Sequence, residues 1–171
     1  MTSKLTYYLS QSEKGDRTAA YNAARIMTFE KYNDVLIQNQ YRRSAQLGFA
    51  PAQRELGILG LCSRLVTPSS TIGNMVYYND NFSQAIHWLK EASKNQDCIA
   101  IYILGKCYQH GVGVETDSNH AAKLFKLASK LLPLDKMAVV NVVTSLIVDT
   151  IAITQTQKEN IYDIDLLALV G

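Results

Sequence analysis

The sequence has few cysteines, few prolines and almost no excess charge of either sign. Its 171 residues include three cysteines and three prolines, and 17 lysines and arginines stand against 15 aspartates and glutamates, a formal net charge of +2. Three thinly spread cysteines, Cys62, Cys98 and Cys107, do not make a disulfide framework, so we expect reduced and buried thiols. The near-neutral balance argues against a nucleic-acid partner, because dedicated nucleic-acid binders normally carry a clear basic excess.

A long uninterrupted apolar run is also missing. The N-terminal stretch MTSKLTYYLSQSEKGD has neither the apolar core nor the small-residue cleavage site of a secretory signal, so we expect a cytoplasmic protein, or an exported one if the numbering is that of a mature chain. The most apolar stretch, residues 137–153, is interrupted by asparagine, threonine, serine and aspartate. It is too short and too polar to cross a bilayer, and we interpret it as a buried helix rather than a membrane anchor.

What the sequence does have is apolar content and an internal repeat. With 47% apolar and 19% charged residues, a chain of this length can bury a sizeable core as one domain, residues 1–171. Aligning the chain on itself matches Ala85, Trp88 and Ala92 with a second set at an offset of 36 residues (Ala85 to Ala121). That second set is Ala121, Leu124 and Ala128.

A second match lies upstream of the first at a larger offset. Ala52, Leu56 and Gly57 recur as Ala100, Leu104 and Gly105, at an offset of 48 residues (Ala52 to Ala100). The 12 extra residues (48 against 36) must lie between the two helices of the earlier copy, which predicts an inserted loop over residues 64–80. The predicted units are a half unit over 1–15, full units over 16–48, 49–96 and 97–132, and an atypical C-terminal cap over 133–171 with helices at 134–157 and 160–170.

Each predicted unit is a pair of helices. The recurring alanines and glycines remove side-chain bulk where neighbouring helices approach closely. Asn33, Asn81 and Asp117 are placed to cap the second helices. The glycine pair in Gly111-Val112-Gly113-Val114 is typical of a turn between helices. It lacks the preceding strand and the lysine of a phosphate-binding loop, so we do not expect a nucleotide site there.

The last unit resembles the Sel-one-like repeat (SLR) family, which is related to the tetratricopeptide repeat. The residues that carry the resemblance are Ala100, Leu104, Gly105, Tyr108, the glycine turn 111–114, Asp117, Ala121, Phe125 and Ala128. The resemblance covers about residues 7–130. It implies an all-α, right-handed α/α solenoid of stacked helix pairs that binds other proteins as an adaptor or regulator, and it does not imply an enzyme. Secreted relatives pair cysteines between the helices of a unit, and Cys98 and Cys107 lie near that arrangement but not on it.

Two partner-binding surfaces follow from this reading. The first helices of stacked pairs line the concave side of a solenoid, and six residues at corresponding positions point away from the small-residue seam. They are Tyr21, Arg25, Arg54, Ile58, Tyr102 and Lys106. Tyrosines beside cations suit an acidic or extended peptide. The alternative surface is the inserted loop with Tyr77 and Tyr78, although these residues can equally fold back over the helices.

Two other functions remain open at this stage. One is an immunity-type or regulatory inhibitor of a single toxin or enzyme, which would also bind a protein. The other is a small metal-dependent hydrolase using Cys107, His110 and His120, although their spacing is not a standard zinc pattern and lacks a fourth ligand. We expect no cofactor and no catalytic residue.

Overall fold

All the regular secondary structure in the described part of the chain is helical, which confirms the predicted all-α solenoid. The structure is a computed structural model, and it describes residues 3–62, 81–131 and 148. Its helices are α1 (Ser3–Glu13), α2 (Arg17–Phe29), α3 (Asp34–Gln46), α4 (Ala50–Leu61), α5 (Asn81–Lys94), α6 (Cys98–His110) and α7 (Ser118–Leu131). The predicted inserted loop, and the C-terminal cap apart from Val148, lie outside the described residues.

The helices pack mainly against their neighbours along the chain. The most extensive contacts join α2 to α3, α4 to α5 and α6 to α7, and smaller ones link each pair to the next. This sequential contact pattern is the one expected for stacked helix pairs, in which each unit is held by its neighbours. Among the described helices, none has the length and apolar character that a membrane span requires.

Small residues allow the two helices of a pair to approach closely. A Cβ atom added to Gly57 would lie 2.6 Å from Cγ of Leu89, and one added to Gly105 would lie 2.7 Å from Cε1 of Phe125. Both distances are too short for a real Cβ contact, so a larger residue at either position would displace the Leu89 or Phe125 side chain that packs against it. The predicted seam alanines are buried as well, with Ala52 and Ala100 fully inaccessible to solvent.

Polar side chains begin the helices as predicted. Asn33 Oδ1 accepts a hydrogen bond from the amide of Val35 at 2.8 Å, and Asp117 Oδ1 accepts one from the amide of His120 at 2.8 Å. Asn81 is the first residue of α5, but its side chain lies outside the described part of the structure, so its predicted cap stays a prediction. First helices are capped in the same way, by Asp16 on α2 and by Asp97 on α6. Such a cap stabilises a protein by about 1 kcal/mol.

The Gly111–Val114 stretch is a turn between α6 and α7, as predicted. Gly111 has φ 72°, in the left-handed region that terminates helices, and the amide of Val112 donates to the carbonyl of Cys107 at 3.0 Å. Val112 is fully buried, so the turn contributes an apolar side chain to the core. The interpretation of these glycines as a helix-ending turn is confirmed.

Two apolar clusters form the core, and α4 contributes to both. The N-terminal cluster joins Leu5 of α1 to residues of α2, α3 and α4, including Leu56. The C-terminal cluster joins Leu61 of α4 to residues of α5, α6 and α7. Val148, which lies beyond α7 in the sequence, is helical, fully buried and part of this second cluster. The two clusters are therefore linked by α4, which buries one part of its length in each.

Candidate partner-binding surface

The predicted column of first-helix residues begins with an aromatic and cationic pair on α2. The Tyr21 ring packs against Tyr41 and Phe49, with ring centroids 5.8 and 5.2 Å apart. Burial, with a smaller contribution from the nearby Glu55 carboxylate, raises the pKa of the Tyr21 hydroxyl, so this group stays protonated at neutral pH. Arg25 is exposed, and its guanidinium lies 5.9 Å from the Tyr21 ring centroid. This end of the column presents a cation beside an aromatic ring.

Arg54, the next member of the column, is occupied by an internal ion pair. Its guanidinium lies 2.8 Å from Oδ2 of Asp97 and 3.4 Å from Oε1 of Glu55, and its side chain is only 16% exposed. Burial lowers the pKa of Arg54, but the two carboxylates outweigh it and the net pKa is raised. Asp97 also caps α6, so the pair fastens α4 to the start of α6. We infer that Arg54 positions helices rather than meeting a partner.

The remaining predicted residues of the column are too little exposed to line a partner-binding groove. Ile58 is half-buried and packs against the C-terminal cluster. Tyr102 is 9% exposed, with its ring 5.0 Å from that of Phe125. Its burial argues against a direct contact with a partner, because a groove-lining tyrosine must expose its ring. Lys106 is half-buried, and Tyr77 and Tyr78 lie outside the described residues.

A groove between α1 and α2 was not predicted from the sequence. The α1–α2 groove has a volume of about 330 Å³ and is lined by Lys4, Tyr8, Asn22, Arg25, Ile26 and Phe29. The repeat alignment had marked Arg25 as a partner-binding residue, whereas Asn22, Ile26 and Phe29 were not singled out. Asn22, Ile26 and Phe29 follow one another at spacings of four and three residues, which places them on one face of α2. The sequence alone did not identify this face as a binding surface, because apolar residues at this spacing usually belong to the core.

The candidate metal ligands do not form a site. Cys107 is fully buried, and burial raises the pKa of its thiol to about 12, so no thiolate is available at neutral pH. The His120 ring packs against Tyr108 with centroids 4.5 Å apart. Within residues 3–62, 81–131 and 148, no group of three or more histidine, cysteine or acidic side chains could hold a metal ion.

The possible pairing of Cys98 with Cys107 is incompatible with the fold. Both residues belong to α6, nine positions apart, which separates them by about 13 Å along the helix axis. A disulfide requires Cα atoms closer than about 7 Å. All three cysteines are free thiols, but the expectation that they are buried is correct only for Cys107, since Cys62 is exposed and Cys98 partly exposed.

Comparison with known proteins supports the repeat reading. The Sel1 repeat family model matches residues 73–97 and 98–131. A search of curated proteins gave no significant match. The fold is similar to the crystal structure of a Sel1 repeat protein from Oxalobacter formigenes, with a TM-score of 0.63 and 22% identity over 80% of this chain and 96% of that one.

A second solved structure has the same architecture within a longer protein. It is a protective antigen of uropathogenic Escherichia coli that displays an SLR fold, with a TM-score of 0.54 and 20% identity. The match covers 90% of this chain and 35% of the antigen. The chain therefore contains two Sel1 repeats, over residues 73–97 and 98–131, and its described helices share the SLR solenoid fold of these two structures.

Proposed function

We propose that this chain is a non-enzymatic scaffold that binds a protein or peptide partner through the outer surface of its helices. Sel1-repeat proteins are typically protein-interaction scaffolds. The single observation that carries the proposal for this chain is the accessible face of α2. There, exposed Arg25 lies beside Tyr21 on a helix whose opposite side is locked into the core by alanines.

Rigidity is the physical advantage of such a surface. Ala19, Ala20, Ala23 and Ala24 are all buried on α2, and the neighbouring helices fix their positions through the apolar clusters. A partner segment that meets a preformed surface loses its own freedom but does not have to order the scaffold. Binding energy from a few contacts is therefore retained as affinity.

The proposal is tested by capture followed by reconstitution. The full chain is immobilised, partners are taken from native lysate, and the leading candidate is purified and titrated against the chain by calorimetry. We expect a stoichiometric complex that Arg25→Glu weakens at least tenfold and that Lys123→Glu, the same charge change on exposed α7, leaves unchanged. Failure to reconstitute any complex from purified components would contradict the scaffold function.

A further inference from the structure

We propose that the α1–α2 groove is a docking site for a short acidic and apolar segment of a partner protein, in which one carboxylate meets the two cations and a neighbouring apolar side chain packs on the aromatic rings. This inference rests on the proposed scaffold function and specifies where and what it binds.

Charge is the first argument for an acidic ligand. Lys4 and Arg25 line the groove, and neither forms an ion pair with a carboxylate of the described residues. No acidic side chain of the described residues lines the groove. Arg54 shows the contrasting case, since two carboxylates of the fold neutralise it. The fold leaves two cations uncompensated at one place, so an anionic group entering there gains attraction from both.

Apolar surface is the second argument, and it distinguishes a peptide segment from a simple anion. Phe29 is 89% exposed, the largest exposed fraction among the large apolar residues of the described chain. Tyr8 and Ile26 lie beside it in the groove and pack with their other sides on the N-terminal cluster. Exposed aromatic surface beside cations is typical of residues that anchor protein partners.

Spacing along the helices sets the form of the ligand. On α1, Lys4 precedes Tyr8 by four residues, and on α2, Arg25 precedes Phe29 by four residues. Residues four apart on a helix lie about 6 Å apart, so the groove presents a cation and a ring one turn apart on each side. A partner matches this spacing with an acidic and an apolar residue two apart in an extended segment, or three to four apart in a helix.

The size of the groove limits the ligand to a few side chains. Its volume of about 330 Å³ is at the lower end of the range for small-ligand pockets. From Asn22 to Phe29 the α2 side runs for about 10 Å, the length of roughly three extended residues. The groove is therefore an anchor for one short motif.

Selection from a random peptide library tests the proposal without knowledge of the natural partner. Twelve-residue random peptides displayed on phage are selected on the full chain, and the enriched sequences are synthesised and titrated by fluorescence anisotropy. We expect peptides with an acidic residue near an aromatic or aliphatic one at the spacing above. Lys4→Glu combined with Arg25→Glu should weaken them at least tenfold, as should Phe29→Ser, whereas Lys123→Glu on α7 should leave them unchanged.

Charge reversal provides the sharpest control. Selection on the Lys4→Glu/Arg25→Glu variant should enrich basic and apolar peptides instead, provided that its circular dichroism and melting temperature match those of the unmodified chain. Enriched peptides without acidic residues, or binding unaffected by these variants, would overturn the groove and leave the scaffold function standing. Self-association that Phe29→Ser abolishes, with no peptide enriched, would show that a second copy occupies the groove, and would also overturn the proposal.

Discussion

Helices α2 and α6 are the first helices of two repeats, but residues at corresponding positions are more exposed on α2 than on α6. On α2, Tyr21 is half-buried and Arg25 is exposed beside an open groove. On α6, the corresponding Tyr102 is core, and every residue from Ala100 to Gly105 is buried. A helix that is apolar all round belongs inside a structure, whereas one that buries a single alanine face leaves the other face for binding. Position in the repeat is therefore insufficient to identify a binding residue; the neighbours of each helix decide.

The largest expected loss of stability comes from replacing Tyr102, and replacing Tyr21 provides the direct comparison. Tyr102→Ala removes a ring from the C-terminal cluster and should lower the free energy of unfolding by about 4 kcal/mol, as for other buried aromatic residues. Tyr21→Ala, at a half-buried ring, should cost about half as much. Urea denaturation monitored by circular dichroism measures both. Equal costs would mean that the two helices are equally buried and that the contrast is wrong.

The ion pair between α4 and α6 is the next test, because it separates a structural cation from an available one. Asp97→Asn keeps a side chain that can cap α6 but removes the closer carboxylate from Arg54. We expect the free energy of unfolding to fall by roughly 3 kcal/mol, the low end of the range for breaking a buried ion pair. The loss is at the low end because Glu55 still pairs with Arg54. Glu91→Gln, which breaks the exposed pair with Lys94, serves as the control and should change stability little. A comparable loss in both variants would contradict the structural role of Arg54.

A third test concerns the close approach of α6 to α7. Gly105→Ala places a Cβ atom against the Phe125 ring and should cost about 2 kcal/mol through overpacking. Adding Phe125→Leu, which takes away the ring, should recover at least about 1 kcal/mol of that loss. Thermal or urea unfolding of the two single variants and the double variant gives the coupling. Strictly additive costs would show that the glycine is not required by this contact.

Alkaline pH tests the burial of Cys107 within the α6 core. Its pKa is raised to about 12 in the folded chain, from an ordinary value of 9.0. The stabilisation from keeping this thiol protonated is fully present below about pH 9 and is lost as pH rises towards 12, because the unfolded chain ionises first. Between pH 9 and pH 12, ionisation of this thiol should lower the free energy of unfolding by about 1.4 kcal/mol per pH unit. Cys107→Ala should show a correspondingly shallower decline between pH 8 and 10.5, and identical slopes would place the thiol in water.

The smallest change in stability is expected from replacing Phe29, whose ring is exposed on α2. Phe29→Ala should change the free energy of unfolding by less than about 0.5 kcal/mol, because the side chain is 89% exposed and contributes little to packing. Chemical denaturation beside Tyr102→Ala provides the comparison. A loss above 1 kcal/mol would mean that Phe29 is a packing residue, and it would remove the main apolar element of the α1–α2 groove.

The sequence was sufficient to predict the helix pairs, the seam and the turn. The offsets of 36 and 48 residues aligned Ala85 with Ala121 and Ala52 with Ala100, and all four are buried. These features are local or repeat in register, so pattern is enough to find them. The caps Asn33 and Asp117 were found for the same reason.

Exposure of the binding residues could not be predicted in the same way. Tyr102 is buried in a cluster that joins residues of α4, α5, α6 and α7 with Val148, a residue far from it in the sequence. The guanidinium of Arg54 is ion-paired with the carboxylate of Asp97, which lies 43 positions further along the chain. Of the residues that line the α1–α2 groove, the repeat alignment marked Arg25 alone, because the groove forms between two helices and depends on how they pack. Each of these depends on contacts between units.

Hydroxyl-radical footprinting of the full chain, read residue by residue by mass spectrometry, tests most directly the claim that α2 presents the accessible face and α6 the buried one. We predict fast modification of Phe29 and Tyr7, intermediate modification of Tyr21, and protection of Tyr102 until the chain is unfolded. Modification of Tyr102 at the rate of Phe29 in the folded protein would contradict the account.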